Sequence, residues 1–467
     1  MRIFKILFSI SLILIIILGG CKIGKNYSRP EIVMPDAYRF SDDTTTVNAD
    51  IEWWGMFRDR ILDTLVRYAL VNNNDLLIAA QNIEQARLGL KIQRSEMLPK
   101  FDMSGQASRG NFAGFKLDDA ANNFSLTGSM SWEIDLWGKY RRMNEAAKAQ
   151  FISTSYGYQF MKISLISAVA TTYFQLLEYR EKLEISQNTF EIRDRTLNMI
   201  KQRFDAGIIP EIDYNHAQIQ REIAAASIPY YKRMTAQTEN YLSVLIGQLP
   251  QAIEEGSLLG NIEIDPSIPA GLPAELLARR PDVLSAEQEL VAQNAFIGVA
   301  QADRLPSISL TGLFGAASNE LSSFFTGGAA WSIGAGLVSP LFHFRQKSNR
   351  VKIERSRYEA AVHNYDKVVL NALREVEDAL VAIETLKEEQ TAYRRRVSAA
   401  VNAMQLSEKR YDRGVANYIE FLESQRQAFE SQLELVAAKQ QLLSSYVKLY
   451  KALGGGWTID VSTKNKK

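Results

Sequence analysis

Two kinds of hydrophobic spacing take turns along this chain. From Phe124 to Asp135 the alternation is strict: Phe124, Leu126, Gly128, Met130, Trp132 and Ile134 interleave with Ser125, Thr127, Ser129, Ser131, Glu133 and Asp135. A period of two with one apolar and one polar face predicts a β-strand. Phe101, Met103, Gly105 and Ala107 set against Asp102, Ser104, Gln106 and Ser108 predict a second strand just before it. Elsewhere the spacing is helical. A helix is expected over 62–98, ended by Pro99, and another over 139–204, which no proline interrupts. At 1.5 Å per residue the latter would run roughly 100 Å, far beyond a globular helix. A shorter helix over 211–246, kinked near Pro229, closes this half.

The order then repeats. Residues 248–281 hold five of the twelve prolines and read as a link. After it come a helix over 274–302, irregular around Pro281, strands over 308–316 and 331–337, a long helix over 346–410, and a shorter one over 418–453, stopped by Gly454-Gly455-Gly456. Gly207 and Gly414 lie 207 residues apart, and the same shift aligns Gly247 with Gly454, Asp75 with Asp282, Ala79 with Ala286, Leu98-Pro99 with Leu305-Pro306, and Gly105 with Gly312. The chain is therefore one supersecondary unit duplicated, with a period too long for a solenoid. Each long helix ends in a glycine suited to positive φ, at Arg203-Phe204-Asp205-Ala206-Gly207-Ile208-Ile209-Pro210 and at Arg410-Tyr411-Asp412-Arg413-Gly414-Val415-Ala416-Asn417. These are tight helix-to-helix hairpins, expected at the opposite end of the helices from the strands.

The N-terminus adds a compartment. Arg2 and Lys5 precede an apolar run from Ile6 to Leu18, too short for the ~20 residues of a membrane-spanning helix but suited to an export signal. Leu18-Gly19-Gly20-Cys21 resembles a bacterial lipoprotein box with Cys21 as the lipidated residue; an ordinary signal in which Cys21 is incidental is the alternative. The expected organisation is a signal peptide over 1–20, a tether over 21–60 ending near Trp53-Trp54, a first repeat over 61–247, a linker over 248–272, a second repeat over 273–456 and a tail over 457–467. Cys21 is the only cysteine, which excludes an internal disulfide. Without the signal the chain carries 52 basic and 53 acidic residues, giving no basic surface for nucleic acid. His216, His343 and His363 are scattered without metal-ligand spacing, and no catalytic motif stands in a suitable context, so neither an enzyme, a metal site nor a cofactor is expected.

Gly271-Leu272-Pro273-Ala274-Glu275-Leu276-Leu277-Ala278-Arg279-Arg280-Pro281-Asp282-Val283, with Leu305-Pro306-Ser307, Tyr411-Asp412-Arg413-Gly414, Leu422-Glu423-Ser424-Gln425-Arg426 and Leu453-Gly454-Gly455-Gly456-Trp457, resembles the TolC-like outer membrane factors, closest to their lipoprotein branch. The resemblance covers essentially the whole mature chain. It implies a homotrimer whose 12-stranded outer-membrane β-barrel continues as an α-helical tunnel through the periplasm. It further implies a tripartite efflux pump, completed by a periplasmic adaptor and an inner-membrane pump of RND type. Four strands alone cannot close a membrane barrel, which needs about eight, so other subunits must pair the edges. A type I protein-secretion conduit and, in a different class, a structural envelope-spanning lipoprotein are the alternatives.

The resemblance also implies roles for single residues. The hairpins carrying Gly207, Ile208, Ile209, Gly414, Val415 and Tyr418 become the tips that meet the adaptor. Tyr411 matches a tyrosine of the family's periplasmic constriction. Ala416 departs from the family, where that position is often charged, which removes one expected closing ion pair. Glu420 and Glu423, three residues apart on one helix face, would become two rings of carboxylates around a cation-attracting pore.

Overall fold

The computed structural model describes residues 22–40, 53–110, 120–254, 256, 258–262, 271, 273–324 and 329–455. Its elements are α1 (Arg60–Asn72), α2 (Asn74–Ser95), β1 (Lys100–Gly110), β2 (Ala121–Ile134), α3 (Lys139–Asp205) and α4 (Glu211–Leu245). The second series is α5 (Leu276–Arg279), α6 (Pro281–Ala302), β3 (Ser307–Ser318), β4 (Ala330–Val338), α7 (Gln346–Asp412) and α8 (Tyr418–Ala452). The two long helices are each 67 residues and the two that follow them each 35. The starts of α2 and α6, β1 and β3, α3 and α7, and α4 and α8 all differ by the same 207 residues.

One expectation needs correction. The helix foreseen over 62–98 is two helices, because Asn73 takes an extended conformation between them, φ −65° and ψ 123°. Its side chain ends one helix and begins the next: Oδ1 accepts from Leu76 N at 2.9 Å and Nδ2 donates to the Leu245 carbonyl at 2.9 Å. Asparagine competes for backbone groups in this way and so breaks a pattern that apolar spacing alone reads as continuous. The helix foreseen over 274–302 with an irregularity around Pro281 is interrupted at Arg280, whose extended backbone (φ −79°, ψ 120°) is what a residue before proline prefers. α4 runs through Pro229 without a break.

The chain divides into two compact units. One comprises residues 1–32, 82–155 and 285–367 and contains the sheet. Its four strands run in the order β1-β2-β3-β4, all antiparallel. The register puts Phe101, Met130, Gly312 and Ile333 in one row and Gly105, Leu126 and Ala316 in another, so the apolar faces of all four strands coincide. That face is open: Phe101, Met103, Trp331 and Ile333 are each more than 70% exposed. The opposite face carries serines, threonines and glycines, with Ser104 and Thr127 hydrogen-bonded across the strands at 2.9 Å. Below the sheet, α3 meets α6 through Ala146, Ala149, Ala292 and Ala295, small side chains that let helix axes approach closely. Residues 22–29 are strapped onto this pair. The buried Arg142 donates to the carbonyls of Ile23 and Gly24, Lys22 pairs with Glu145 at 2.6 Å, and Arg29 and Tyr27 both donate to Glu287.

The other unit comprises residues 33–81, 156–284 and 368–467. Asp59 caps α1, accepting from Ile61 N and Leu62 N, and also accepts from the Tyr173 hydroxyl at 2.9 Å. The apolar side of α1 (Ile61, Leu62, Leu65, Val66, Ala69) is buried, Phe57 meets Phe174 edge-on, and Trp53 stacks on Tyr450 at 4.9 Å. Two equivalent joints hold the ends of the shorter helices. Gly247 (φ 72°) lies against the Asn72 carbonyl, and Gly454 (φ 84°) against that of Arg279, both so close that a Cβ would overlap it. As Asn73 donates to the Leu245 carbonyl, so Arg280 donates to that of Ala452 at 3.0 Å. Arg280 is 2% exposed and binds Asp282 through both Nε and Nη2 and Glu375 through Nη1.

Candidate functional site: the two helical hairpins

Both hairpins are built the same way. After α3, Gly207 (φ 72°) donates to the Phe204 carbonyl at 2.8 Å and Ile208 to that of Arg203 at 2.9 Å. After α7, Gly414 (φ 71°) donates to Tyr411 at 3.0 Å and Val415 to Arg410 at 3.0 Å. This pair of bonds closes a helix with a left-handed residue, and glycine takes that conformation without steric cost. The helices then restart differently. Pro210 begins α4 without a side-chain cap, whereas the Asn417 side chain caps α8 by accepting from Glu420 N at 2.9 Å.

Between the hairpins lies an aromatic core. Tyr411, Tyr418 and Phe421 are buried together with Ile200 and Ala217, and Tyr411 stacks on Phe421 with centroids 6.0 Å apart. The Arg203 guanidinium covers the Tyr411 ring at 4.7 Å and reaches Asp412 at 3.7 Å, tying the first hairpin to the second. Burial raises the Tyr418 phenol above its ordinary range. Deeper along the helices, Arg193 is 2% exposed, lies over Phe429 at 5.0 Å and donates to the Gln220 carbonyl at 2.7 Å. Burial without a carboxylate partner pulls this guanidinium down to about 10.

The residues singled out in the sequence separate into two groups. Ile208 and Val415 are 71% and 63% exposed, as expected of tips. Tyr418 is not displayed. It is 3% exposed, because the Asn417 cap makes it the first residue of α8 and turns it, with Phe421 three residues on, toward Tyr411. Ile209 is half-buried against the same core. Tyr411 is likewise buried in the single chain, its hydroxyl without a hydrogen-bond partner among the described residues. Both glutamates are accompanied: the exposed Glu420 binds Arg410 at 3.0 Å, and the half-buried Glu423 binds Arg426, which also holds Glu430. Hydrogen bonds from Arg426 and then Gln427 hold the Glu423 carboxyl down at about 2. Cys21 lies outside the described residues.

Sequence reading missed an apolar series beside the tips. Ile212, Ile219 and Ile223 of α4 and Ile419 of α8 are all about half exposed or more. The spacing of the first three, seven and then four residues apart, is the signal that would have found them. Among the described residues no cluster of His, Cys, Asp and Glu is arranged to hold a metal ion.

Comparison with known proteins places this architecture. The family model for "Outer membrane efflux protein" matches twice, over residues 65–248 and 272–455, so that the second match starts and ends 207 residues after the first. The chain is 34% identical to the solvent efflux pump outer membrane protein SrpC of Pseudomonas putida, over 97% of this chain and 98% of that one. It is 32% identical to the outer membrane protein OprJ of Pseudomonas aeruginosa, over 96% of each. Among solved structures, the CmeC outer membrane channel of Campylobacter jejuni superposes with a TM-score of 0.87 at 29% identity, covering 95% of this chain and 97% of that one. Fold, double match and full-length relatives agree: the chain belongs to the outer membrane efflux protein family and has the TolC-like fold of its outer-membrane channels.

Proposed function

We propose that three copies of this chain form a passive exit duct for small molecules, driven by an inner-membrane pump of RND type through a periplasmic adaptor. The observation that carries this is the sheet. Its exposed face is apolar across four strands while its opposite face is polar, the pattern of a lipid-facing wall around a water-filled lumen. Backbone groups on the outer edges of β1 and β4 have no strand beside them among the described residues. A bilayer does not tolerate such edges, so further copies complete the barrel, and three give twelve strands. In planar bilayers the purified protein is expected to conduct ions; absence of any conductance would point instead to a structural lipoprotein.

The hairpin tips at Gly207 and Gly414 are the proposed adaptor contacts, with Ile208 and Val415 as their exposed apolar groups. Tyr411, Glu420 and Glu423 are the proposed constriction. Cys21 is the proposed lipid attachment. Lys22, the next residue, packs against Gly138 where β2 gives way to α3, so a lipid one residue away would start beside the end of the sheet that joins the helices. The relative named for solvent efflux favours small-molecule cargo over protein. Deleting the gene should therefore sensitise cells to solvents or antibiotics; unchanged sensitivity together with loss of a secreted protein would support a secretion conduit.

A further inference from the structure

One cation in the helical unit is buried without an anion. The guanidinium of Arg193, on α3, touches a carbonyl of α4 through Nη1 and the Phe429 ring of α8, while Nε and Nη2 are covered and have no hydrogen-bond partner among the described residues. The carboxylate whose charge it feels, Glu430, is already held by Arg426. Arg193 also lines a cavity of about 150 Å³ between α3, α7 and α8, well above the roughly 10–15 Å³ that admits one water. Asn188, Thr189 and Gln432 line the same cavity, each able to donate an N–H or O–H, and none of these three side chains makes a hydrogen bond among the described residues. Asn188 is exposed, so the cavity has an entrance in the single chain. The duplication shows that the fold itself does not require this arginine. Shifted by 207 residues, Arg193 becomes the buried Ala400, whereas Asn188 and Thr189 become Arg395 and Arg396, exposed cations of which the second pairs with Glu434. One repeat keeps its cations at the surface at this level, and the other keeps one inside.

We infer that this cavity binds one small monovalent anion, of the size of chloride or formate, with Arg193 as its counter-charge and Asn188, Thr189 and Gln432 as further donors. A buried charge is stable when it is paired, and a single guanidinium balances a single negative charge. Phosphate or sulfate would bring a second charge with nothing to meet it. Burial lowers the guanidinium only to about 10, so it remains a cation at neutral pH. It attracts the ion through a medium that screens poorly, and a turn of its terminal torsions brings the covered Nε or Nη2 to the cavity without moving the backbone. The site gathers all four helices of the two hairpins: α3 through Arg193, α4 through the Gln220 carbonyl, α7 through Met404 and α8 through Phe429. A bound anion therefore strengthens the packing of the helical unit, whatever the protein transports.

Crystals of the full chain soaked in bromide test this, because bromide replaces chloride and scatters anomalously. A bromide peak is expected in the cavity against the Arg193 guanidinium, and Arg193→Met, which keeps the length of the side chain without its charge, should lose it. In solution, the midpoint of thermal unfolding of the purified protein in detergent should rise by about 2 °C when chloride or formate replaces gluconate at equal ionic strength, since the six-carbon chain of gluconate overfills the cavity. Arg193→Met should show the same midpoint in all three salts. Protection by chloride alone or by formate alone supports the site and says whether an inorganic ion or a carboxylate fills it. A bromide peak that persists in Arg193→Met would mark an adventitious ion only and overturn the assignment. A wild-type map with no peak in the cavity overturns it whatever the midpoints, and this map decides the matter even if the variant fails to assemble.

Discussion

Arginines fix the geometry of this molecule at places where the sequence shows only charge. Arg280 holds Asp282, Glu375 and the last carbonyl of α8 from a position that is almost wholly buried. Replacing it with alanine would strand two carboxylates and a helix end, and Arg280→Ala is expected to destabilise the helical unit by about 3 kcal/mol, measured by chemical denaturation followed by circular dichroism. The carboxylates proposed for the constriction behave differently, because their partners, Arg410 and Arg426, are respectively exposed and half-buried and are held by hydrogen bonds. Glu420→Gln with Glu423→Gln leaves Arg410 and Arg426 without these partners, so cation selectivity should weaken toward anions, read from reversal potentials in a salt gradient. An unchanged reversal potential would remove both glutamates from the pore. The Glu423 carboxyl is depressed to about 2, so its pairing is complete above the ordinary carboxylate value and is lost only as pH falls through about 2. The selectivity it contributes should therefore stay constant between pH 7 and 4. None of these partnerships was legible from spacing, except that Glu423 and Arg426 stand one helical turn apart.

At the scale of elements, most of the architecture was legible because its signals are long and periodic. Strict alternation gave the strands, the absence of proline gave α3, and a single shift of 207 residues carried most elements of one half onto the other. One break was hidden, at Asn73, since it depends on a side chain reaching the carbonyl of a helix remote in sequence, whereas Pro281 signalled the break at Arg280. The burial of Tyr418 was hidden for a related reason: a tyrosine after a hairpin glycine looks exposed until the Asn417 cap sets the phase of α8. The hairpins supply a prediction of their own. Apart from its chain neighbours, no atom of the described residues lies within 4 Å of a Cβ built on Gly414, so a tryptophan there meets open space, although φ 71° costs an L-residue about 1–2 kcal/mol. Gly414→Trp should thus trimerise normally while losing efflux, and Gly414→Ala, equally strained but small, should keep it. Equal efflux from both variants, measured as dye extrusion, would dissociate the tip from adaptor docking.

For the whole molecule, anchoring and assembly overlap. A single acyl chain adds about 0.8 kcal/mol per buried CH₂, while a completed barrel already holds the trimer in the membrane. Cys21→Ala is therefore expected to slow delivery to the outer membrane more than it lowers efflux once there, which pulse-chase fractionation and susceptibility assays separate. Mass spectrometry showing an unmodified cysteine at the mature N-terminus would refute lipidation. The number of copies was beyond the residues themselves, because open edges demand partners without counting them.

The sheet also sets the conditions under which the chain must be made. β1 carries Lys100, Asp102 and Arg109, the kind of charges that discourage an edge from recruiting a foreign strand. β4, Ala330-Trp331-Ser332-Ile333-Gly334-Ala335-Gly336-Leu337-Val338, carries none, and its apolar residues are exposed. Until it meets a second copy, this edge is an adhesive surface in an aqueous compartment. The stability of the sheet is then inseparable from protomer concentration, and a newly exported chain depends on escort rather than on its own fold to stay soluble.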